Sequence, residues 1–312
     1  MKKTQSHELK VSIIGCGNVG VTAAYAMMLD GTPTEIVLVS RDLKKARGEK
    51  LDLEHALPFL DYVKITATDD YKDIAGSHLV VYTAGVAQRP GDTRLDLCDR
   101  NIAILRTILP EIMKNAPDAV LLMIANPVDI LTYYANKQYP QAKGRIFGSG
   151  TMLDTARFRF HLSEKLGVDP QSVHAYILGE HGDSSFPVFA HATVGGKKLT
   201  SFDGMTDAVI KDAYTQARQA AYNIIQAKGA TYYAIGIVAR RIMQVIQSDA
   251  KTVLPLSVPL DGLYGEKGVS LSVPCVLGSR GVENVLEIEL SAQEQAGLKK
   301  SADQLRSYCK TL

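Results

Sequence analysis

The chain has 312 residues, is 46% hydrophobic and 22% charged, and carries a formal net charge of +2. These values predict an ordinary globular protein of one or two domains and exclude a strongly basic, nucleic-acid-binding composition. No apolar run approaches the roughly 18–20 residues of a membrane span, and the polar N-terminal segment does not resemble a signal peptide. The scattered cysteines lack metal-ligand spacing. We therefore expect a cytoplasmic protein without a metal, membrane or nucleic-acid partner.

Strand and helix patterns alternate through the first half of the chain. The predicted elements, in chain order, are strand 11–15, helix 18–30, strand 35–39, helix 46–57, strands 63–68 and 78–85, helix 101–115 and strand 119–127. Short, near-continuous apolar strands that alternate with helices are typical of a parallel sheet covered by helices. We therefore predict an α/β fold that begins with a doubly wound, Rossmann-type parallel sheet.

The pattern changes past about residue 148. The predicted elements there are helix 151–165, a strand, turn and strand over 172–188, helices near 206–226 and 230–248, strands 253–258, 269–278 and 282–290, and a terminal helix from 291. We interpret residues 1–147 as a dinucleotide-binding domain and residues 148–312 as a substrate-binding, catalytic α+β domain.

The stretch "GCGNVG" directly follows the first strand and opens the first helix. Gly15 would permit a tight turn, Gly17 would let the backbone approach a pyrophosphate, and Gly20 would let helix and strand pack closely. Asn18 and Val19 would lie at the helix N-terminus that faces the phosphates. The alternative is a glycine-rich turn without a ligand, which the surrounding strand–helix–strand unit disfavours.

The second strand ends at Ser40, where NAD-binding proteins of this fold usually carry an acidic residue for the adenosine ribose. Without that carboxylate a 2′-phosphate would not be repelled, and the Ser40 hydroxyl and the Arg41 guanidinium could bind it. This pair favours NADP over NAD. The alternative is that Arg41 is a solvated loop residue and that Asp42 partly replaces the missing acid.

Four later stretches are unusually rich in polar residues: "GVAQRPGDTRLDL", "ANPVD", "TMLDTARFRF" and "GEHGD". Asp154 and Arg157 are three residues apart, hence on one helix face, whereas Arg159 points to another side. Together with "KGATYYAIG", these stretches resemble the lactate/malate dehydrogenase family, in its bacterial L-lactate branch. The resemblance covers nearly the whole chain, and the motifs occur in the family's order.

The resemblance implies a catalytic role for four side chains. His181 would exchange a proton with the substrate oxygen, and Asp154 would fix the imidazole tautomer. Arg157 would bind the substrate carboxylate through its planar fork. Arg94 would polarise the reacting ketone.

The resemblance also implies the residues around substrate and cofactor. Asn126 would bind the reacting oxygen beside the nicotinamide, while Thr231 and Ile235 would line the pocket. The polar loop after the fourth strand begins with three further cofactor-binding residues, Thr83, Ala84 and Gly85.

Gln88 bears on the choice of substrate. Malate dehydrogenases of this family carry an arginine there to pair with a second carboxylate, whereas a neutral amide suits the methyl group of pyruvate. Pyruvate and L-lactate are therefore the expected substrates, with malate or another L-2-hydroxy acid as the alternative. An alternative of another class is a nucleotide-binding relative without turnover, which would have no reason to keep His181, Asp154, Arg157 and Arg94 together.

Arg159 and His174 match the positions at which bacterial relatives activated by fructose 1,6-bisphosphate carry a phosphate-binding pair at a subunit interface. The alternative is two ordinary surface cations. The resemblance also implies a homotetramer.

Overall fold

The structure, a computed structural model, describes residues 8–86 and 94–309, except for the side chains of Arg94 and Leu95. The strands are β1 Lys10–Ile14, β2 Glu35–Val39, β3 Lys64–Thr68, β4 Leu79–Tyr82, β5 Val120–Met123, β6 Ile146–Gly148, β7 Val173–Leu178, β8 Phe186–Val194, β9 Lys197–Lys198, β10 Thr252–Asp261, β11 Lys267–Gly278 and β12 Gly281–Val285. The helices are α1 Asn18–Asp30, α2 Leu43–Glu54, α3 Arg94–Asn115, α4 Val128–Gln138, α5 Met152–Leu166, α6 Asp207–Lys228, α7 Tyr233–Ser248 and α8 Ala292–Cys309.

The main sheet has the strand order β12-β11-β10-β6-β5-β4-β1-β2-β3. The pairs between β3 and β6 are parallel, and β1 lies between β2 and β4. This is the doubly wound order of a dinucleotide-binding sheet, so the predicted Rossmann-type fold is confirmed. The strand order reverses beside β1, which places a ligand crevice at the carboxyl ends of β1 and β4.

The main sheet continues into the second half of the chain. Strand β6 pairs antiparallel with β10 at Gly148 and Ser257, and β11 and β12 extend the sheet further. A smaller antiparallel sheet, β7-β8-β9, has its own apolar core against α5 and α6. The second half therefore completes the first sheet instead of forming a wholly separate layer.

Several bounds differ from those the sequence predicts. Helix α2 begins at Leu43 because the Asp42 side chain accepts a hydrogen bond from the Lys45 N–H at 3.0 Å and so caps the helix. Helix α3 begins at Arg94 and not at 101, and the last strand ends at Val285 and not at 290. Helix α4 and strand β6 had no counterpart in the prediction.

The two halves meet where α1 packs on α7. Arg240 donates two hydrogen bonds, at 2.8 and 2.6 Å, to Oδ1 of Asp30, the last residue of α1. Both guanidinium nitrogens donate to this one carboxylate oxygen, so the contact is a charge-assisted pair between the two helices. The helix that follows the glycine loop is thus tied directly to the second half.

Within residues 8–86 and 94–309, no helix is both long enough and apolar enough to cross a membrane. The same ranges contain no group of three or more His, Cys, Asp or Glu residues that could hold a metal ion. The four cysteines are buried free thiols.

Candidate active site

The glycine loop lies at the carboxyl ends of β1 and β4. Gly15 has a φ of +105°, and a Cβ there would lie 2.8 Å from the backbone N of Ala84. Thr83 donates from Oγ1 to the carbonyl oxygen of Gly15 at 2.8 Å, which fastens the loop to the end of β4. A Cβ on Gly20 would collide with the Gly15 carbonyl oxygen. Two of the three glycines are therefore required by backbone packing alone.

Gly17 differs from the other two glycines because nothing lies within 4 Å of the position of a Cβ. It is the N-cap residue of α1, and no side chain caps this helix end. Gly17 and Asn18 are exposed, so the first N–H groups of α1 face open space. Such a helix end fits a pyrophosphate, which an added side chain would obstruct.

Ser40 follows β2 at the same edge of the sheet. Its Oγ accepts a hydrogen bond from the Asp42 N–H at 3.1 Å, and its hydroxyl hydrogen can still be donated. Asp42 caps α2, as described above, and Arg41 is exposed. The carboxylate that could replace the missing ribose acid is thus engaged at a helix end.

Asn101, which no sequence motif marks as a site residue, joins two strand ends. This buried side chain accepts from the Val86 N–H at 2.8 Å and donates to the Asn126 carbonyl oxygen at 2.6 Å. The side chain of Asn126 follows β5 and is exposed, as expected of a ligand-facing residue. Gly85 lies against the same amide, since a Cβ there would be 3.1 Å from Oδ1 of Asn101.

His181, Asp154 and Arg157 are brought together in the second half. Nδ1 of His181 lies 2.6 Å from Oδ2 of Asp154, and NH1 of Arg157 lies 3.3 Å from Oδ1 of the same carboxylate. Asp154 and Arg157 share one face of α5, as their spacing predicts, and His181 reaches them from the turn between β7 and β8. With Nδ1–H donated to Asp154, Nε2 is the nitrogen left to face a substrate.

Electrostatics favour the charged form of this histidine. Burial acts to lower the pKa of His181, but the charge and hydrogen bond of Asp154, with the charge of Asp129, outweigh it and raise that pKa to about 9. Burial likewise opposes ionisation of Asp154, yet the His181 charge and hydrogen bond and the Arg157 charge hold its pKa below the ordinary value. An imidazolium at neutral pH can donate a proton.

A second carboxylate, that of Asp129 at the start of α4, contacts the main chain of the turn that carries His181. It is 2% exposed. Oδ2 accepts from the main-chain N–H of His181 at 2.7 Å, and Oδ1 accepts from the Ser257 hydroxyl at 2.6 Å. Asp129 lies in the "ANPVD" stretch, and a charged residue between apolar segments was the only sequence signal for it.

The buried residue Glu180 anchors the turn on its other side. It accepts from the hydroxyl of Ser184, whose main-chain oxygen in turn accepts from Ser301 of α8 at 2.7 Å. The turn that carries His181 is therefore held by α4, α5 and α8 together.

The structure describes some of the remaining predicted site residues and leaves others outside the described ranges. Thr231 precedes α7 and Ile235 lies in its first turn, both half-buried. Gln88 lies outside the described residues, as does the side chain of Arg94, whose main chain begins α3. Arg159 faces away from Arg157 and donates to the carbonyl oxygens at 170 and 171, at 3.2 and 3.1 Å, and His174 is exposed on β7.

Two sequence profiles of one family match the chain. The profile described as lactate/malate dehydrogenase, NAD binding domain, matches residues 9–148, and that of the alpha/beta C-terminal domain matches residues 151–312. The first range contains the glycine loop and the second contains the histidine, aspartate and arginine cluster.

Similar proteins cover nearly the full length. An L-lactate dehydrogenase of Clostridium botulinum is 43% identical over 96% of this chain and 95% of its own, and one of Thermoanaerobacterium saccharolyticum is 42% identical over 97% and 99%. The solved structure of a minor L-lactate dehydrogenase from Enterococcus mundtii, in a ligands-bound form, superposes with a TM-score of 0.93 at 39% identity and 98% coverage of both chains. From the profiles, the sequence identity and the shared fold, we conclude that the chain belongs to the lactate/malate dehydrogenase family.

Proposed function

We propose that the protein is an NAD(P)-dependent oxidoreductase that interconverts pyruvate and L-lactate. The observation that carries this proposal is the His181 imidazole, held by Asp154 beside Arg157 in a chain that also has a dinucleotide-binding loop. The names of the relatives, which are L-lactate dehydrogenases, support the same substrate pair. This set combines a proton donor with a binding group for a carboxylate.

The chain's own residues account for binding and proton transfer. The N-terminus of α1 and Gly17 would hold the pyrophosphate, and the bound nicotinamide supplies or accepts the hydride at the substrate carbon. Arg157 uses one guanidinium nitrogen on Asp154 at 3.3 Å, which leaves the rest of its fork for the substrate carboxylate. During reduction, Nε2 of His181 gives its proton to the ketone oxygen, and Asp154 stabilises the orientation of the ring throughout.

Arg94 and Asn126 complete the proposed mechanism. Arg94 would stabilise the negative charge that develops on the ketone oxygen, and Asn126 would donate to the same oxygen. Loss of one such donor typically reduces turnover by about 10²–10³-fold.

The direct test is the loss of NADPH or NADH absorbance, each assayed separately, when pyruvate is added to the purified protein. The same assay with oxaloacetate and with larger 2-oxo acids tests the alternatives, malate dehydrogenase and a broader L-2-hydroxy acid dehydrogenase. Turnover with pyruvate at the highest kcat/KM supports the proposal. Turnover only with oxaloacetate would make the protein a malate dehydrogenase, and no turnover would favour a non-catalytic relative.

We further propose that the cofactor site prefers NADP to NAD. Ser40 keeps a hydroxyl hydrogen to donate, Arg41 is exposed at the same strand end, and Asp42 is engaged as the cap of α2. The positive end of the α2 helix dipole adds a favourable potential for a 2′-phosphate. Asp42 remains the counter-argument, because a carboxylate so close to the site repels a dianion.

Regulation by fructose 1,6-bisphosphate is proposed for Arg159 and His174. Arg159 lies on α5 and His174 on the neighbouring strand β7, where Tyr176, on the same side of the strand as His174, is within electrostatic range of Arg159. We expect the sugar bisphosphate to lower the apparent KM for pyruvate, and this response to be lost in Arg159→Gln and in His174→Gln. Fructose without phosphate groups is the control ligand. If kinetics, assembly and melting temperature do not respond to the sugar bisphosphate, Arg159 and His174 would be ordinary surface cations without a regulatory role.

We also propose that the protein is a homotetramer. Large apolar side chains are exposed on α1, α2 and α7 and on the segment between α2 and β3, namely Tyr25, Leu29, Leu51, Phe59, Tyr62, Tyr233 and Ile237, and α1 packs on α7. Phe59 is 87% exposed and Tyr62 is 79% exposed, which is unusual for a monomer surface. Light scattering after size exclusion would measure the mass, and a monomer would contradict the proposal.

The four free thiols fit the cytoplasm, which we keep as the expected compartment.

A further inference from the structure

Asp129 is a buried carboxylate that the proposed reaction does not use. Its side chain is 2% exposed, and it lies in α4 of the dinucleotide-binding half. Its two oxygens accept hydrogen bonds from residues that are distant in sequence: the His181 main-chain N–H at 2.7 Å and the Ser257 hydroxyl at 2.6 Å. A buried charge is costly unless a specific interaction compensates it.

We propose that Asp129 is a second positioning carboxylate for His181, which holds the turn through the main-chain N–H and favours the imidazolium through its negative charge. This inference rests on the proposed function in one respect, the proton-donor role of His181. Asp154 fixes the ring at Nδ1, and Asp129 fixes the backbone from which the ring projects. The two carboxylates thus hold one residue at two points, from two different helices.

Titratable groups of the described residues other than His181 also act on this carboxylate. Glu180 reaches it from the same turn and opposes its ionisation, and Cys309 in α8 lies within electrostatic range. Asp154 and Arg157 face the imidazole from α5 with opposite signs. Burial raises the pKa of Asp129 to about 6, against the hydrogen bonds from Ser257 and His181 and the charge of His181, so the carboxylate is ionised across the range in which His181 titrates.

The Asp129→Asn variant separates charge from hydrogen bonding. The amide oxygen can still accept from the His181 N–H, and the amide NH₂ can donate to Ser257, because a hydroxyl both donates and accepts. Since burial already disfavours the charged carboxylate, we expect the neutral amide to be tolerated and the variant to fold at neutral pH. Ser257→Ala is the matched control, because it breaks a hydrogen bond of the same network and keeps the charge.

The test is the titration of His181 by NMR in histidine-labelled protein, with its signal assigned by its loss in His181→Asn. We expect the pKa of His181 to fall by about one unit in Asp129→Asn, at the lower end of the range for an opposite charge a few ångströms away, and to stay near the wild-type value in Ser257→Ala. An unchanged pKa in Asp129→Asn, or an equal shift in both variants, would overturn the proposal.

Two further measurements distinguish a failure of this inference from a failure of the proposed function. The wild-type amide signal of His181 should change position as Asp129 titrates, because Asp129 accepts the hydrogen bond from that N–H. A signal that stays flat over the whole acidic range in which the protein is folded would contradict the inference even if the variant does not fold. The pH midpoint of kcat/KM for pyruvate should follow the His181 titration in Asp129→Asn. If the His181 titration moves and the kinetic midpoint does not, the inference stands and the proton-donor role of His181 fails.

Discussion

Gly236 of α7 and Thr22 of α1 approach so closely that a Cβ on Gly236 would lie 2.7 Å from Cγ2 of Thr22 and 3.0 Å from its carbonyl oxygen. Helix α1 opens at the glycine loop, and α7 carries Ile235 one residue before the contact. The position of the proposed substrate pocket relative to the cofactor helix therefore depends on a residue without a side chain.

Gly236→Ala should destabilise the protein. The added methyl group would press on Thr22, and overpacking of this kind typically lowers the free energy of unfolding by about 1–3 kcal/mol. Denaturant melts would measure the loss, and Thr22→Ser, which removes Cγ2, should recover part of it. Gly48→Ala in α2 is the matched control, because nothing lies within 4 Å of its added Cβ. If the two glycine variants have the same free energy of unfolding, Gly236 and Thr22 do not pack closely enough to exclude a methyl group.

His181→Asn should reduce turnover of pyruvate by about 10²–10⁴-fold, the usual contribution of a positioned proton donor. Binding of NADH should be nearly unchanged, which the fluorescence of the bound nicotinamide would report. His161→Asn provides the control, because His161 contacts Glu164 at 3.3 Å on α5 and lies outside the cluster. Retention of most activity in His181→Asn would remove the residue from the mechanism.

The two directions of the reaction should depend on pH with opposite signs. Pyruvate reduction needs the imidazolium and should decline as pH rises through about 9, whereas lactate oxidation needs the neutral ring and should increase over the same range. The pH profiles of kcat/KM for both substrates would reveal this. Midpoints in both directions close to the ordinary histidine pKa of about 6.5 would contradict the strong coupling to Asp154.

The same coupling has a consequence for stability. The folded-state pKa of His181 is raised, so its stabilising contribution is complete below about 6.5, the ordinary value. That contribution is lost as pH rises through about 9.

Gln88→Arg should reverse the preference between pyruvate and oxaloacetate. A guanidinium would pair with the second carboxylate of oxaloacetate, and in a site with pyruvate it would be left unpaired over a methyl group. The measured quantity is kcat/KM for both substrates in wild type and variant. A wild type that already prefers oxaloacetate would contradict the role given to Gln88 and would make the neighbouring Arg89 the candidate partner of the second carboxylate.

Ser40→Asp should change the cofactor preference from NADPH towards NADH. One charge-assisted hydrogen bond contributes about 1.5–3 kcal/mol, so a difference of roughly 10- to 100-fold between the cofactors is expected. The comparison is kcat/KM for NADPH and NADH with saturating pyruvate in both proteins. Clear NADH preference in wild type would mean that Ser40 and Arg41 only relax selectivity.

The sequence predicts helix α1 to its observed bounds, because the glycine loop and Gly31, with a φ of +71°, mark both ends of the helix. It misses α4, in which Val128 to Thr132 are all buried. These first residues follow an apolar strand closely, and periodicity alone does not distinguish such a buried apolar segment from a continuing strand.

Some of the site residues could be predicted from the sequence, and others could not. The pair Asp154 and Arg157 could be predicted because helical spacing alone places them together. Asp129 could not, since its two partners are 52 and 128 residues away in sequence and only the folded topology brings them near. Asn101 likewise binds strand ends that no local pattern connects to it.

The antiparallel pairing of β10 with β6 bears on how the chain matures during synthesis. When the ribosome has released only the first 148 residues, β6 is an open sheet edge, and such edges readily pair with other chains. The strand that covers this edge is made about a hundred residues later. At a synthesis rate of about 5–20 residues per second, the nascent half-molecule remains exposed for several seconds, and this interval is when a chaperone would protect it from aggregation.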